Sequence, residues 1–480
     1  MKKIFLQILL AGITFGSTAQ VSSEELLNFL GNEKVISQEK IDSLRADIAL
    51  EQQKSPKDKL FTIDLDYRPR TEMRNGYGQL RTDTTRPTVF TTQRARLGFT
   101  FKHENKFTFH MSVQDIRMWG DQNPRYNGGT VQIFEAYGEP YINSKLSVRI
   151  GRQKLAFDNQ RLFAENDWRQ NAGTHDAFNL KYNFNKLSSE FAVAWNQNVK
   201  DANTLERFND NYYNGATPYK GLAVSYLKYL LNSAITLSSI NSADAFQTTV
   251  KGDDKEKLYT RFTNGGRIEY QKKNIYLTFS GYWQSGFLAS GKRIEAWYIQ
   301  PEIKYTKDNN YTLRLGAEVM SGDNGKKPTP ALDHNFVALY GVAHRFNGSM
   351  DFFTRFPNDL GNAGLINPYF FVIKNIGKKL EIRADFHTFY SQNNYVTKKA
   401  TEDYAKGATI NKYLGFENDL LVTYKPNSYT KIDIGYSYAL PTVAMKEVLS
   451  SAKGYGRAGL LPTWFYASFS FKPQIFKFKF

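Results

Sequence analysis

Arginines stand two residues apart at Arg68 and Arg70 and again at Arg94 and Arg96, and further cations, Arg149, Arg261, Arg267, Arg314, Arg383 and Lys431, occupy the polar positions of alternating stretches. Acids share those positions: Asp64, Asp66, Glu269, Glu318, Glu381, Asp385 and Asp433. A guanidinium pairs in bidentate fashion with a carboxylate, sulfate or phosphate. A row of them beside water would attract anions, and neighbouring acids would keep an anion from sticking. Without a solute, the same residues read as salt-bridge ladders bracing a wall. Bracing requires only balance, whereas this set has cations in excess.

Catalytic chemistry has little support. The histidines His103, His110, His175, His334, His344 and His387 are scattered. No HExxH, paired-cysteine, GxSxG or Walker-type GK[ST] element appears, and a hydrolase or acyltransferase would need a Ser–His pair. The expectation is therefore no catalytic residues, no cofactor and no metal. The net charge of +17 suggests nucleic acid, but the basic residues are dispersed among acids, which argues against it. Basic loop residues fit anionic lipopolysaccharide better.

What positions the arginines is visible in TTQRARLGFTFK, Thr91 to Lys102. Ala95, Leu97, Phe99 and Phe101 alternate with Arg94, Arg96, Gly98 and Thr100, and a strand sends alternate side chains to opposite faces. The surroundings are either a soluble sheet with its apolar face in a core, or a barrel wall between lipid and a wet lumen. FTIDLDY (61–67) and KFTFHMSV (106–113) alternate in the same way, as do runs around Val148, Leu180, Val193, Leu277, Leu315, Ala384 and Ile434. Each lasts about ten residues, enough for a tilted strand to cross a bilayer.

Aromatic residues make up 15% of the chain, while mean hydropathy is −0.52. Past the N-terminus no apolar run approaches the roughly 20 residues of a spanning helix. Only helices and closed barrels cross a bilayer, and a barrel shows lipid every second residue, so hydropathy misses it. Lipid outside forces the charged series inward, since Arg or Lys in mid-bilayer costs roughly 2–4 kcal/mol.

Connections alternate in length. Short ones, at 103–106, 143–145, 183–186, 230–233, 271–274, 307–310, 377–379 and 425–428, are separated by long polar ones such as 120–129, 155–173, 197–218 and 391–412. A β-propeller also repeats at about 40 residues, but its blades need four short strands each. Eight short turns with both chain ends on one side predict an all-β transmembrane antiparallel barrel of about 18 strands. The count is 20 if HRFNGSM, inside the long stretch Ser321 to Gly364, is a further turn.

The chain opens MKKIFLQILLAGITFGSTAQ, read as a signal peptide over 1–19. Its removal takes two lysines from 63 basic residues, leaving 61 against 46 acids, a charge of +15. The absence of cysteine excludes a lipoprotein anchor and a disulfide scaffold. Residues 20–60 are charged and carry Leu26, Leu27, Phe29, Leu30, Ile41, Leu44 and Ile48 at helical spacing. They read as a short periplasmic helical segment, a coiled-coil stub for homo-oligomerisation, or a flexible leader; 41 residues are too few for the plug of a TonB-dependent importer. The barrel takes 61–480. Its last residues, WFYASFSFKPQIFKFKF, resemble the terminal aromatic strand read by barrel-assembly machinery.

Ile133 to Tyr182 resembles the alginate-export family of outer-membrane channels, through Glu135-Ala136-Tyr137, Gly151-Arg152-Gln153, Arg161-Leu162, Asp167-Trp168 and Asp176-Ala177-Phe178 in order and spacing. The likeness extends more loosely from Phe61 to the C-terminus, including Leu339 to Phe353. It implies an 18-stranded barrel in a Gram-negative outer membrane, whose electropositive lumen passes an anionic polysaccharide, with Glu135 and Arg152 at the constriction. The family often has a basic residue where this chain has Phe134. Strict alternation from Ile150 would send Arg152 outward, so an inward Arg152 needs a β-bulge, for which Gly151 is suited. Many relatives pass small anionic or sugar-acid solutes. The expected function is diffusion or export of anionic, carbohydrate-derived solutes such as uronate oligo- or polysaccharides. The rival is a structural or adhesive barrel closed by packed side chains, with Ser321 to Gly364 folded inward.

Overall fold

A computed structural model describes residues 37–54, 58–121, 131–197, 219–308, 310–453, 456–457 and 459–480. The expected signal peptide and the apolar positions Leu26 to Leu30 lie outside the described residues, as do most of 120–129 and 197–218. Leu60–Phe478 forms one compact unit; the residues before it, with helix α1 (Gln38–Lys54), belong to another.

The strands are β1 (Lys59–Asn75), β2 (Thr88–His103), β3 (Phe107–Met118), β4 (Gln132–Pro140), β5 (Leu146–Gln153), β6 (His175–Phe184), β7 (Leu187–Trp195), β8 (Gly221–Leu230) and β9 (Ile235–Gln247). They continue as β10 (Leu258–Lys272), β11 (Ile275–Gly286), β12 (Ala296–Lys307), β13 (Tyr311–Met320), β14 (Leu365–Ile376), β15 (Leu380–Ser391), β16 (Tyr413–Tyr424) and β17 (Thr430–Pro441). The last, β18, runs Thr463–Phe471 and resumes as Gln474–Lys479. Pro473 has no N–H for the ladder and interrupts it there. Successive strands pair antiparallel and β18 returns to β1, giving a closed barrel of 18 strands when its two segments are counted as one. All eight short turns fall where the sequence places them, and Ser321 to Gly364 is one long connection between β13 and β14. HRFNGSM is therefore no strand-joining turn, and the count is 18, not 20.

Alternation sets the two faces. In β6, His175, Ala177 and Asn179 are buried while Asp176, Phe178 and Leu180 are exposed, Phe178 at 58%. In β11, Thr278, Ser280 and Gln284 are buried and Leu277, Phe279 and Trp283 are exposed. The exposed apolar face is the membrane face. The buried core consequently lies inside the cylinder, where long loops supply apolar side chains. Leu155, Phe157, Leu162 and Phe163 come from 154–174, and Phe336, Met350, Phe352, Phe353 and Leu360 from 321–364. Helix α2 (Val443–Lys453), between β17 and β18, adds Met445, Val448 and Leu449. Phe157 stacks on wall Tyr226 at 4.6 Å and Phe353 tilts against wall Phe389 at 4.8 Å.

Candidate pore and its constriction

Polar anchors fix both inserted loops to the wall. In the first, Asp158 accepts from Tyr226 Oη and Ser238 Oγ, each at 2.8 Å; burial raises its carboxyl above the usual range despite those donors. Arg161, almost fully buried, pairs through Nε with Glu318 of β13 at 3.0 Å and donates to Val342 O of the second loop at 2.6 Å. The second loop donates Tyr340 Oη to Asp244 at 2.8 Å, and Val337 exchanges hydrogen bonds with Gln284 at 2.9 and 2.8 Å. The loops also join each other. Tyr340 N–H reaches Leu162 O at 2.9 Å, Val342 N–H reaches Gln160 O at 3.1 Å, and Phe163 and Tyr340 form a parallel bridge.

Asp167-Trp168 of the first loop lie against β1 and β2 and line the lumen cavity. Arg94, with no exposed side-chain surface, contacts Asp167 at 2.8 Å and Asp66 at 2.6 Å. Arg68 and Lys472 add contacts to Asp167 at 3.6 and 3.3 Å. Burial opposes ionisation of Asp167, but Arg94, Lys472 and Arg68 outweigh it and hold its carboxyl down at about 2. Trp168 lies over the Arg70 guanidinium at 4.1 Å and stacks on His344 of the other loop at 4.2 Å.

The expected wall cations lie on the inward series, and each has an acid. Arg96 approaches Asp66 at 3.8 Å, Arg149 Glu139 at 2.7 Å, Arg261 Asp244 at 2.5 Å and Arg267 Glu269 at 2.6 Å. Arg314 meets Glu302 at 2.6 Å, Lys431 Asp433 at 2.6 Å, and Arg383 donates through Nε to Asp385 at 2.7 Å. The excess of cations anticipated along the wall is thus largely matched by Asp167 from a loop and by Glu139, Asp244 and Glu302.

Arg152 is not inward. β5 keeps continuous register with β6, and Arg152 pairs with Asp176 at 2.8 Å, both well exposed on the outer series near the long-loop end. Gly151 does adopt a left-handed φ of +121°, where an added Cβ would meet Ala136 O at 2.3 Å; it lets β4 and β5 approach without inverting the strand. The bulge sits one strand earlier. Register shifts between Ser112 and Val113 leave Phe134 as an extra residue in β4, so Phe134 and Glu135 are both buried toward the lumen. Glu135 contacts Lys154 at 3.4 Å, and Arg96 lies over the Phe134 ring at 3.4 Å.

Beneath the loops a cavity of about 450 Å³ reaches the short-turn end at Lys425 and Lys431. Arg345, from the tip of the second loop, projects into it alongside Arg383 and Arg70. Arg345 makes no ion pair with a carboxylate among the described residues; its side chain is exposed within the cavity, where the surrounding protein first, then the like charges of Arg314 and Arg383, lower its pKa against the opposing pull of Glu302. Sequence reasoning missed Arg345 because a loop carries no alternation from which to infer direction.

The barrel resembles solved outer-membrane proteins. OccAB1 of Acinetobacter baumannii matches with a TM-score of 0.57 at 12% identity, over 87% of this chain and 97% of that one. OccK11 (OpdR) of Pseudomonas aeruginosa gives 0.55 at 12%, over 87% and 97%. OpdK of the same organism, solved with vanillate, gives 0.54 at 11%, over 88% and 99%. No curated protein sequence matches the chain. The family described as alginate export matches residues 61–453. With most of its length so matched, and its strands closed as described, the chain belongs to the alginate export family and is an outer-membrane β-barrel of the porin type, a channel and not an enzyme.

Proposed function

We propose that the barrel passes small organic anions, carboxylates of the sugar-acid class, by diffusion through an electropositive path. Arg345 carries this reading: it is a guanidinium that faces the cavity among like-charged neighbours, with Glu302 acting on it only at a distance and no described carboxylate in ion-pair contact. A carboxylate entering the cavity supplies the missing partner in bidentate geometry. The wall cations Arg68, Arg70, Arg94, Arg96, Arg149, Arg261, Arg267, Arg314, Arg383 and Lys431 line the route as paired rungs, and Glu135 sits beside it. A cavity of about 450 Å³ suits a monosaccharide acid or an aromatic acid better than a polysaccharide strand. The vanillate found with OpdK is an aromatic carboxylate and supports a small carboxylate as the solute.

Residues 1–19 act in this reading as the export signal, with the barrel-assembly machinery inserting 61–480 among lipid and lipopolysaccharide. Self-association is assigned to 20–60. Planar-bilayer reversal potentials in a KCl gradient test the selectivity. Anion preference that Arg345→Glu weakens or reverses supports the reading, and cation preference in the unaltered protein removes it. The packed loops favour a second reading, a closed structural barrel, for which the same recordings would give no conductance.

A further inference from the structure

On the inner wall, Asp385 and His387 of β15 stand directly opposite Asp419 and Glu417 of β16, a two-by-two grid of buried ionisable side chains. Ligand atoms of Asp385, His387 and Asp419 all lie within 4.8 Å of one another, a grouping that no other His, Cys, Asp or Glu set among the described residues makes. Three carboxylates here meet Arg383, which donates to Asp385; Arg314 acts on that carboxylate from further away and is already paired with Glu302. That leaves two formal negative charges in a buried place, a costly arrangement unless a cation or protons balance it.

The second loop supplies only part of the balance. Ser349 N–H donates to Asp419 Oδ2 at 3.2 Å and Met350 N–H to Glu417 Oε1 at 2.8 Å. Ser437 also hydrogen-bonds Asp419, and the Asp419 and Glu417 carboxyls are close enough to share a hydrogen bond; no amide or main-chain donor reaches Asp419 Oδ1 or Glu417 Oε2. The imidazole is already oriented. Asn367 Nδ2 donates to Phe346 O at 2.9 Å, which turns Asn367 Oδ1 toward His387 Nδ1 at 3.1 Å. Nδ1 must then carry the proton, and Nε2 keeps its lone pair, the tautomer of a metal-binding histidine held by an outer hydrogen bond. Arg383 leaves each Asp385 oxygen a second lone pair.

We propose that Asp385, His387 and Asp419 bind one divalent first-row transition ion of the Zn²⁺ class, with Glu417 as the outer carboxylate that completes the charge balance. The mixed imidazole and carboxylate set favours Zn²⁺ over Ca²⁺ or Mg²⁺, which take oxygen alone. The site borders the cavity, so an ion can arrive from the lumen. Its ligands on β15 and β16 underlie the Gly348–Met350 turn, so an occupied site clips the constriction to the wall.

The test uses the full chain in detergent, stripped with chelator and then dialysed against ZnCl₂. Metal analysis should find about one zinc per chain, and His387→Gln and Asp419→Asn should each abolish uptake while Arg152→Gln retains it. Heat-modifiable gel mobility verifies that each variant is folded. Should the variants fail to fold, the unaltered protein still decides: Co²⁺ loading should give a visible d–d band that Zn²⁺ displaces, and Zn²⁺ should raise the unfolding temperature. A stripped wild type that takes up no zinc and shows no Co²⁺ band overturns the proposal. So do folded variants that bind zinc undiminished, or a site that prefers Ca²⁺.

Discussion

Arg94 Nη1 and Asp167 Oδ1 meet at 2.8 Å inside the barrel, so a loop carboxylate occupies the position that an arriving anion would take on the wall. Asp167→Asn removes that charge while Asp66 still neutralises Arg94 at 2.6 Å. Because Asp167 is partly exposed, the loss of stability should be small, about 1 kcal/mol. The joined loops should lift more readily, and single-channel recordings should show a raised open probability. An unchanged open probability would assign the hold on the loop instead to Trp168 and to Gln170, which accepts from Arg68 Nε at 3.1 Å and donates to Thr92 Oγ1 at 3.0 Å.

The same contact fixes a pH dependence. The carboxyl of Asp167 is depressed to about 2 in the folded protein, below the value of about 3.9 for a free Asp. Its stabilising contribution is therefore fully present above about pH 4 and disappears as pH falls through about 2. Conductance attributable to this loop should stay constant from neutral pH down to about 4. A transition between pH 5 and 7 would have to come from another group.

Arg94→Glu and Arg96→Glu should act mainly on folding. Arg94 is buried against Asp66 and Asp167, and reversing its charge sets three acids together. Breaking such a buried pair costs about 3–5 kcal/mol, measurable as a lower unfolding midpoint in urea. Arg345→Glu should leave that midpoint nearly unchanged, since Arg345 makes no ion pair with a described carboxylate and acts on Glu302 only at a distance.

Outward and inward placements separate in one pair of variants. Arg152→Glu should leave the reversal potential unaltered, because Arg152 and Asp176 pair on the outer surface. Leu180→Arg, on the same outer series near the middle of β6, should cost about 2–4 kcal/mol in a bilayer. A shift in selectivity for Arg152→Glu would return that residue to the lumen.

Strand content was legible because a period of two survives wherever one face meets lipid and the other water. That rule located the eight short turns and the inward direction of residues such as Arg261 and Glu318. It also pointed Arg152 outward, as found; the family resemblance misled there, since an inward Arg152 required a bulge at Gly151 that β4 makes instead at Phe134, and nothing in Ile133-Phe134-Glu135 announces an extra residue. Loop residues escaped it altogether. Asp167 stood out as part of a motif, yet its position on Arg94 depends on a long connection turning inward, which no local pattern encodes. His387 and Glu417 lie thirty positions apart and become neighbours only through the register of β15 and β16.

The strand-like bridge between Phe163 and Tyr340 has a kinetic consequence. Two segments sewn together by main-chain hydrogen bonds, and cross-linked by Arg161 to Val342, cannot leave the bore one at a time without orphaning buried amides. The obstruction moves as a single body, and current should rise in one step, with no half-open sublevel.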